Sequence, residues 1–171
     1  MPRRPSEIAL HWLFAHNAWA TDQLLSVYET LSAEQRAATA PGAVGNVLET
    51  MHHLVQAETG YLTRLAPDLR PPHWERHLAK NFAAVRACAN ELEGLWSAYA
   101  ARDPDAGEVR RAVWPDVIHE FPAGMEIVQA LSHSYAHREQ VCTILTTLGL
   151  QPPELQGLAW GDAMGLLRRI R

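Results

Sequence analysis

Four long stretches of this chain are free of interior proline, and each repeats its apolar residues at helical spacing; breakers separate them. The breakers are Pro41-Gly42, Pro67, Pro71-Pro72, the turn cluster Asp103-Pro104-Asp105-Ala106-Gly107, Pro122, Gly149 and Pro152-Pro153. Strand alternation is scarce, so the pattern predicts long helices packed side by side. The first runs from Ser6 as N-cap to about Leu31, with Ile8, Trp12, Leu13, Trp19, Leu24, Val27, Tyr28 and Leu31 as its apolar stripe. A short turn over 33–38 follows, then helices over about 44–66, 74–102 and 123–148, and a short final helix over about 159–170. Residues 108–121 are less regular, and their β-branched residues suit a small ribbon or a covering loop. The expected fold class is all-α: a four-helix bundle with a short extra C-terminal helix, formed as a single domain over 1–171.

Composition narrows the function. With 171 residues, 47% apolar and 20% charged, the chain is an ordinary globule with one core. Its net charge of −4 and scattered basic residues give no footprint for nucleic acid, and Arg3-Arg4 and Arg168-Arg169 read as solubilising ends. Glu7, His11, His16 and Asn17 interrupt the first apolar stretch, which argues against a signal peptide or membrane span. Cys88 and Cys142 give no disulfide framework, so a reducing cytoplasm is the expected location, with Cys142 as buried filler.

The chemistry concentrates in His133 and His137. Four residues apart in a helix, their imidazoles point about 40° apart around the axis and can reach one ion from a rigid support. A third histidine from another helix would complete a site with an open position for substrate or water. His52 and His53 both sit mid-helix and flank its apolar face on opposite sides, so amphipathicity alone does not choose between them. His53 shares its side with the small residues Thr50, Ala57 and Gly60, whereas His52 shares its side with Gln56 and Thr63; this favours His53.

Three blocks then resemble a known family. They are Phe14-Ala15-His16-Asn17-Ala18-Trp19-Ala20, His53-Leu54-Val55-Gln56-Ala57-Glu58 with Tyr61 and Leu62, and His133-Ser134-Tyr135-Ala136-His137-Arg138-Glu139-Gln140 with Leu145, Leu148-Gly149 and Pro152-Pro153. In this order and spacing, over about residues 8–160, they resemble the DinB/YfiT-like superfamily of metalloenzymes. The resemblance implies a four-helix bundle, a homodimer, and a divalent metal held by His53, His133 and His137. His16 departs from the pattern, which more usually has an aromatic there.

Nitrogen-only ligation suits a divalent transition metal (Zn, Ni, Fe or Co), while Mg and Ca want oxygens. Some relatives in the superfamily are thiol-dependent transferases or isomerases, so the resemblance implies a low-molecular-weight thiol cofactor and S-transfer to a small-molecule substrate. Metal-assisted hydrolysis would use the same geometry. The alternatives are a non-catalytic, dimeric metal- or ligand-binding protein of the stress response, and a metal that only staples helices. No catalytic residue is assigned, although Glu126, Gln129 and Gln140 share the side of His133 and His137. A glutamate there could serve as a base or accept from an imidazole, whereas exposure near the helix start suits Glu126.

His11 and His16 read as surface or partly buried residues, with a fourth ligand or proton carrier as the alternative for His16, and His73, His77 and His119 read as surface; Trp12 and Trp19 read as core, and Trp74, Trp114 and Trp160 as lining for a pocket or dimer interface. Glu58 and Arg138 each project a charge onto an apolar face, which predicts an ion pair between the second and fourth long helices.

Overall fold

The computed structural model describes residues 5–75, 77–114, 116–168 and 170. Among them are six α-helices and one two-stranded antiparallel sheet: α1 Pro5–Thr30, α2 Ala33–Ala37, α3 Val47–Leu65, α4 Phe82–Ala100, β1 Val109–Trp114, β2 Val117–Pro122, α5 Ala123–Thr147 and α6 Gly157–Ala163. This corrects the expected four-helix bundle with one extra helix. The finding that overturns it is a six-helix fold carrying a β-hairpin, with Val109 opposite Pro122 and Trp114 opposite Val117. The hairpin forms because Val109, Val113, Val117 and Ile118 favour extended backbone while Ala112 and Phe121 supply a buried side.

Side-chain caps fix where the helices begin. Ser32 and Gln35 form a reciprocal capping box on α2, Asn46 and Glu49 form another on α3, and Asn81 accepts from the Ala84 amide to start α4. Such caps are worth about 1 kcal/mol each. They explain two boundary differences: α3 starts at Val47, not near 44, and α4 starts at Phe82, not near 74. A 3₁₀ turn at Pro67–Leu69 and irregular backbone fill the gap between them. Helix α5 runs almost as expected and ends before Gly149, whose φ of 73° is the left-handed geometry of a C′ glycine. Helix α6 is shorter than expected, and Gly165 (φ 67°) follows it.

The core sits between α1, α3, α4 and α5. Phe14 stacks on Trp96 at 4.3 Å between ring centroids, within a cluster that includes Leu24, Met51, Leu54, Leu62, Ile144 and Leu145. The inner face of α1 is Phe14, Asn17, Thr21, Leu24 and Tyr28, so two polar residues occupy core positions. Trp12, expected in the core, is instead 49% exposed, and Trp19 is half-buried. The start of α5 is tied to the turn that precedes β1 by two backbone bonds, Ala123 N–H to the Glu108 carbonyl (2.9 Å) and Gly124 N–H to the Ala106 carbonyl (2.8 Å). No helix of the described residues is long and apolar enough to cross a membrane. The Arg3-Arg4 pair, Arg169 and the side chains of Ser6, Glu7, Ile8 and Trp114 lie outside what the structure describes.

Candidate metal centre

Helices α3 and α5 lie against each other, and their outer seam brings three imidazoles together. One ring nitrogen from each of His53, His133 and His137 lies within 4.8 Å of the others. The ring centroids stand 4.3 Å apart for His133–His137, 4.5 Å for His53–His137 and 5.1 Å for His53–His133. His53 is exposed and the other two are half-buried, so the cluster opens to solvent on the α3 side.

The donor set fits a transition ion on two counts. The His133 and His137 Nε2 atoms are 3.2 Å apart. Two nitrogens bound tetrahedrally at ~2.0–2.1 Å would stand about 3.3 Å apart. Burial, aided by the neighbouring imidazoles, pushes His133 down to about 4, and burial likewise lowers His53. Both rings are therefore neutral at pH 7, with a lone pair free for an ion.

Neighbouring groups orient the rings. His137 Nδ1 is 2.8 Å from Gln140 Oε1; a carboxamide oxygen only accepts, so Nδ1 carries the proton and Nε2 turns its lone pair to the cluster. Tyr61 stands edge-on to His133 at 5.7 Å, and Gln129 Nε2 donates to the Tyr61 hydroxyl at 3.3 Å. The Arg64 guanidinium lies over the Tyr61 ring at 5.1 Å and pairs with Glu126. Glu126 is buried, not exposed as its place near the helix start suggested. Burial raises its carboxyl above the usual range and the Arg64 pair opposes that rise.

The other candidates fall elsewhere. His52 faces α4's approach loop and bonds the Leu78 carbonyl at 2.8 Å, which leaves His53 as the residue on the seam. His16 bonds the Leu155 carbonyl at 2.7 Å and faces Trp160 instead of the cluster. His73, His77 and His119 are exposed, and His11 is half-buried. Trp74 lines a cavity of about 290 Å³ between α3 and α4, and Trp160 lines an apolar one of about 570 Å³ beside α1. Both cysteines are free thiols raised mainly by burial, Cys88 to about 12 and the half-buried Cys142 to about 11.

The predicted Glu58–Arg138 ion pair takes a different form. No salt bridge joins the two side chains directly; both are buried in one network bridged by Asn17 of α1, a partner that spacing along α3 and α5 does not reveal. The lone signal was an asparagine one turn from each of Phe14 and Thr21, on the face that turns out to be inward.

A six-helix scaffold with a small β-hairpin, on which three histidines from two helices converge closely enough to hold an ion, defines a class of helical proteins with a candidate metal site. The DinB family matches the chain over residues 6–163, and the protein belongs to that family. No curated protein matches it.

Proposed function

We propose that this is a metal-dependent enzyme in which His53, His133 and His137 hold one divalent transition ion (Zn, Ni or Fe), leaving a coordination position for a small-molecule substrate. The observation that carries the reading is the convergence of three imidazoles, one ring nitrogen of each lying within 4.8 Å of the others. When bound, such an ion polarises a carbonyl or lowers the pKa of a water or thiol. The chain's own groups do the rest. Gln140 fixes the tautomer of His137, and the open side at His53 admits substrate without a helix moving. The Tyr61 hydroxyl, oriented by Gln129, offers a proton at the rim.

S-transfer from a low-molecular-weight thiol to an electrophile is the reaction we favour, on the family resemblance, with hydrolysis at the same site as the competitor. Exposed Met125, Val128 and Tyr135 on α5, together with exposed Val113 and Ile118 on the hairpin, support a homodimer. Two free thiols fit a reducing cytoplasm, and the match over 6–163 fits a single domain. Turnover tests the reading. Thiol-plus-electrophile pairs and activated esters should be consumed by metal-loaded protein, stop on chelation and resume on adding Zn or Ni. Turnover that survives both chelation and His137→Ala would remove the metal from the mechanism.

A further inference from the structure

The seam that carries the histidines is pinned a second time, on its core side. Glu58 of α3 accepts from three donors: Asn17 Nδ2 at 2.9 Å, Ser134 Oγ at 2.5 Å and Trp96 Nε1 at 2.9 Å. Arg138 of α5 gives NH1 to Asn17 Oδ1 at 2.8 Å, to Thr21 Oγ1 at 3.2 Å and to the Asn17 carbonyl at 3.4 Å. All of these residues are buried. A carboxamide can serve an anion and a cation at once, offering N–H to one and C=O to the other. The charges force the orientation seen, with Nδ2 on the carboxylate and Oδ1 on the guanidinium.

The network is interleaved with the candidate ligands. Ser134 follows His133 by one residue, Arg138 follows His137 by one, and Glu58 follows His53 by five. One residue of helix is about 1.5 Å of rise and 100° of turn. A slip of α3 against α5 that broke the Asn17 bridge would therefore displace His53 from the other two rings by a comparable distance. Metal affinity is sensitive to ligand displacements of a few tenths of an ångström.

We infer that Asn17 is a positioning residue for the metal centre: from α1 it locks Glu58 to Arg138, and so sets the register at which His53 meets His133 and His137. This rests on the three-histidine reading above.

The test uses the full chain and measures Zn affinity by competition with a chromophoric chelator, beside the thermal midpoint of the metal-free protein. Asn17→Leu should weaken Zn binding at least 10-fold while far-UV circular dichroism still shows a folded helical protein. Thr21→Val, which removes a bond to Arg138 without touching the bridge, should lower the midpoint and leave affinity within about 3-fold (our margin for unchanged binding, within the scatter of). Rescue comes from combining Asn17→Asp with Glu58→Gln. The amide at position 58 then donates to the carboxylate at 17 and to Ser134 Oγ and still accepts from Trp96, while Arg138 keeps an acceptor. That double variant should bind Zn like wild type.

Folded Asn17→Leu with wild-type affinity overturns the inference. Should Asn17→Leu not fold, the double variant decides: wild-type affinity supports the inference, and a 10-fold loss at an unchanged midpoint overturns it. Wild-type protein that binds no Zn, or His53→Ala that binds it as well as wild type, overturns the metal reading itself.

Discussion

Arg138→Met removes a cation that is only 4% exposed and touches no carboxylate. Methionine fills much of the same volume with apolar atoms, so the loss is mainly polar. Asn17 Oδ1 and Thr21 Oγ1 lose their donor from the guanidinium. An unsatisfied buried acceptor costs about 1–3 kcal/mol. Glu58 keeps its three donors but loses the positive charge that acts on it through Asn17. These contributions overlap, and breaking a buried charge pair from one side costs about 3–5 kcal/mol in all. At about 2–4 °C per kcal/mol for a chain of this size, the melting temperature should fall by roughly 6–20 °C. Adding Glu58→Gln removes the stranded charge and lets the Asn17 amide turn over to accept from position 58. The double variant should then be more stable than the sum of the two singles by about 1–3 kcal/mol. Urea unfolding of metal-free protein at pH 7, followed by circular dichroism with m unchanged, measures each corner of the cycle. A loss below 1 kcal/mol for Arg138→Met, or additivity within about 0.5 kcal/mol, would refute the coupling.

Three further outcomes follow from the site and its helices. Gln140→Leu takes the acceptor from His137 Nδ1 and should weaken Zn or Ni binding by about 10–100-fold with little change in the melting temperature; unchanged affinity means the tautomer is set by something else. The folded His133 titrates near 4, below the ordinary 6.5 of an unfolded histidine, so its contribution is intact above about 6.5 and is lost as pH falls through about 4. Metal-free protein should thus lose stability between those values, and His133→Leu should flatten that part of the profile; an equally steep profile in the variant excludes His133 as the cause. Gly149→Ala forces a left-handed backbone (φ 73°) on a side-chain-bearing residue and should cost about 1–2 kcal/mol by thermal melt, although no atom stands in the way of the new Cβ.

The parts of this molecule that could be read from the chain are those where polarity and position agree. His133 and His137 stood out because i,i+4 spacing puts two imidazoles on one side of a proline-free helix, and α5 came out within a residue of its predicted ends. The inner face of α1 could not be read the same way. Asn17 and Thr21 occupy core positions, so an apolar stripe drawn without them turned Trp12 inward when it faces out. Glu58 and Arg138 were rightly placed as buried charges, but their partner lay on a third helix, where spacing along α3 and α5 gives no information. The starts of α3 and α4 were missed because their caps, Asn46 and Asn81, look like ordinary loop residues until their side chains close on the first turn. The four-helix bundle expectation failed on the hairpin, whose apolar residues point outward on one side and so mimic an irregular loop.

Metal content of protein purified from its native host tests the account at its root, measured by elemental analysis on wild type and on His53→Ala. The account predicts about one divalent transition ion per chain in the wild type and its loss in the variant, with the helical circular dichroism spectrum retained. Stoichiometric metal in both proteins, or in neither, would contradict it.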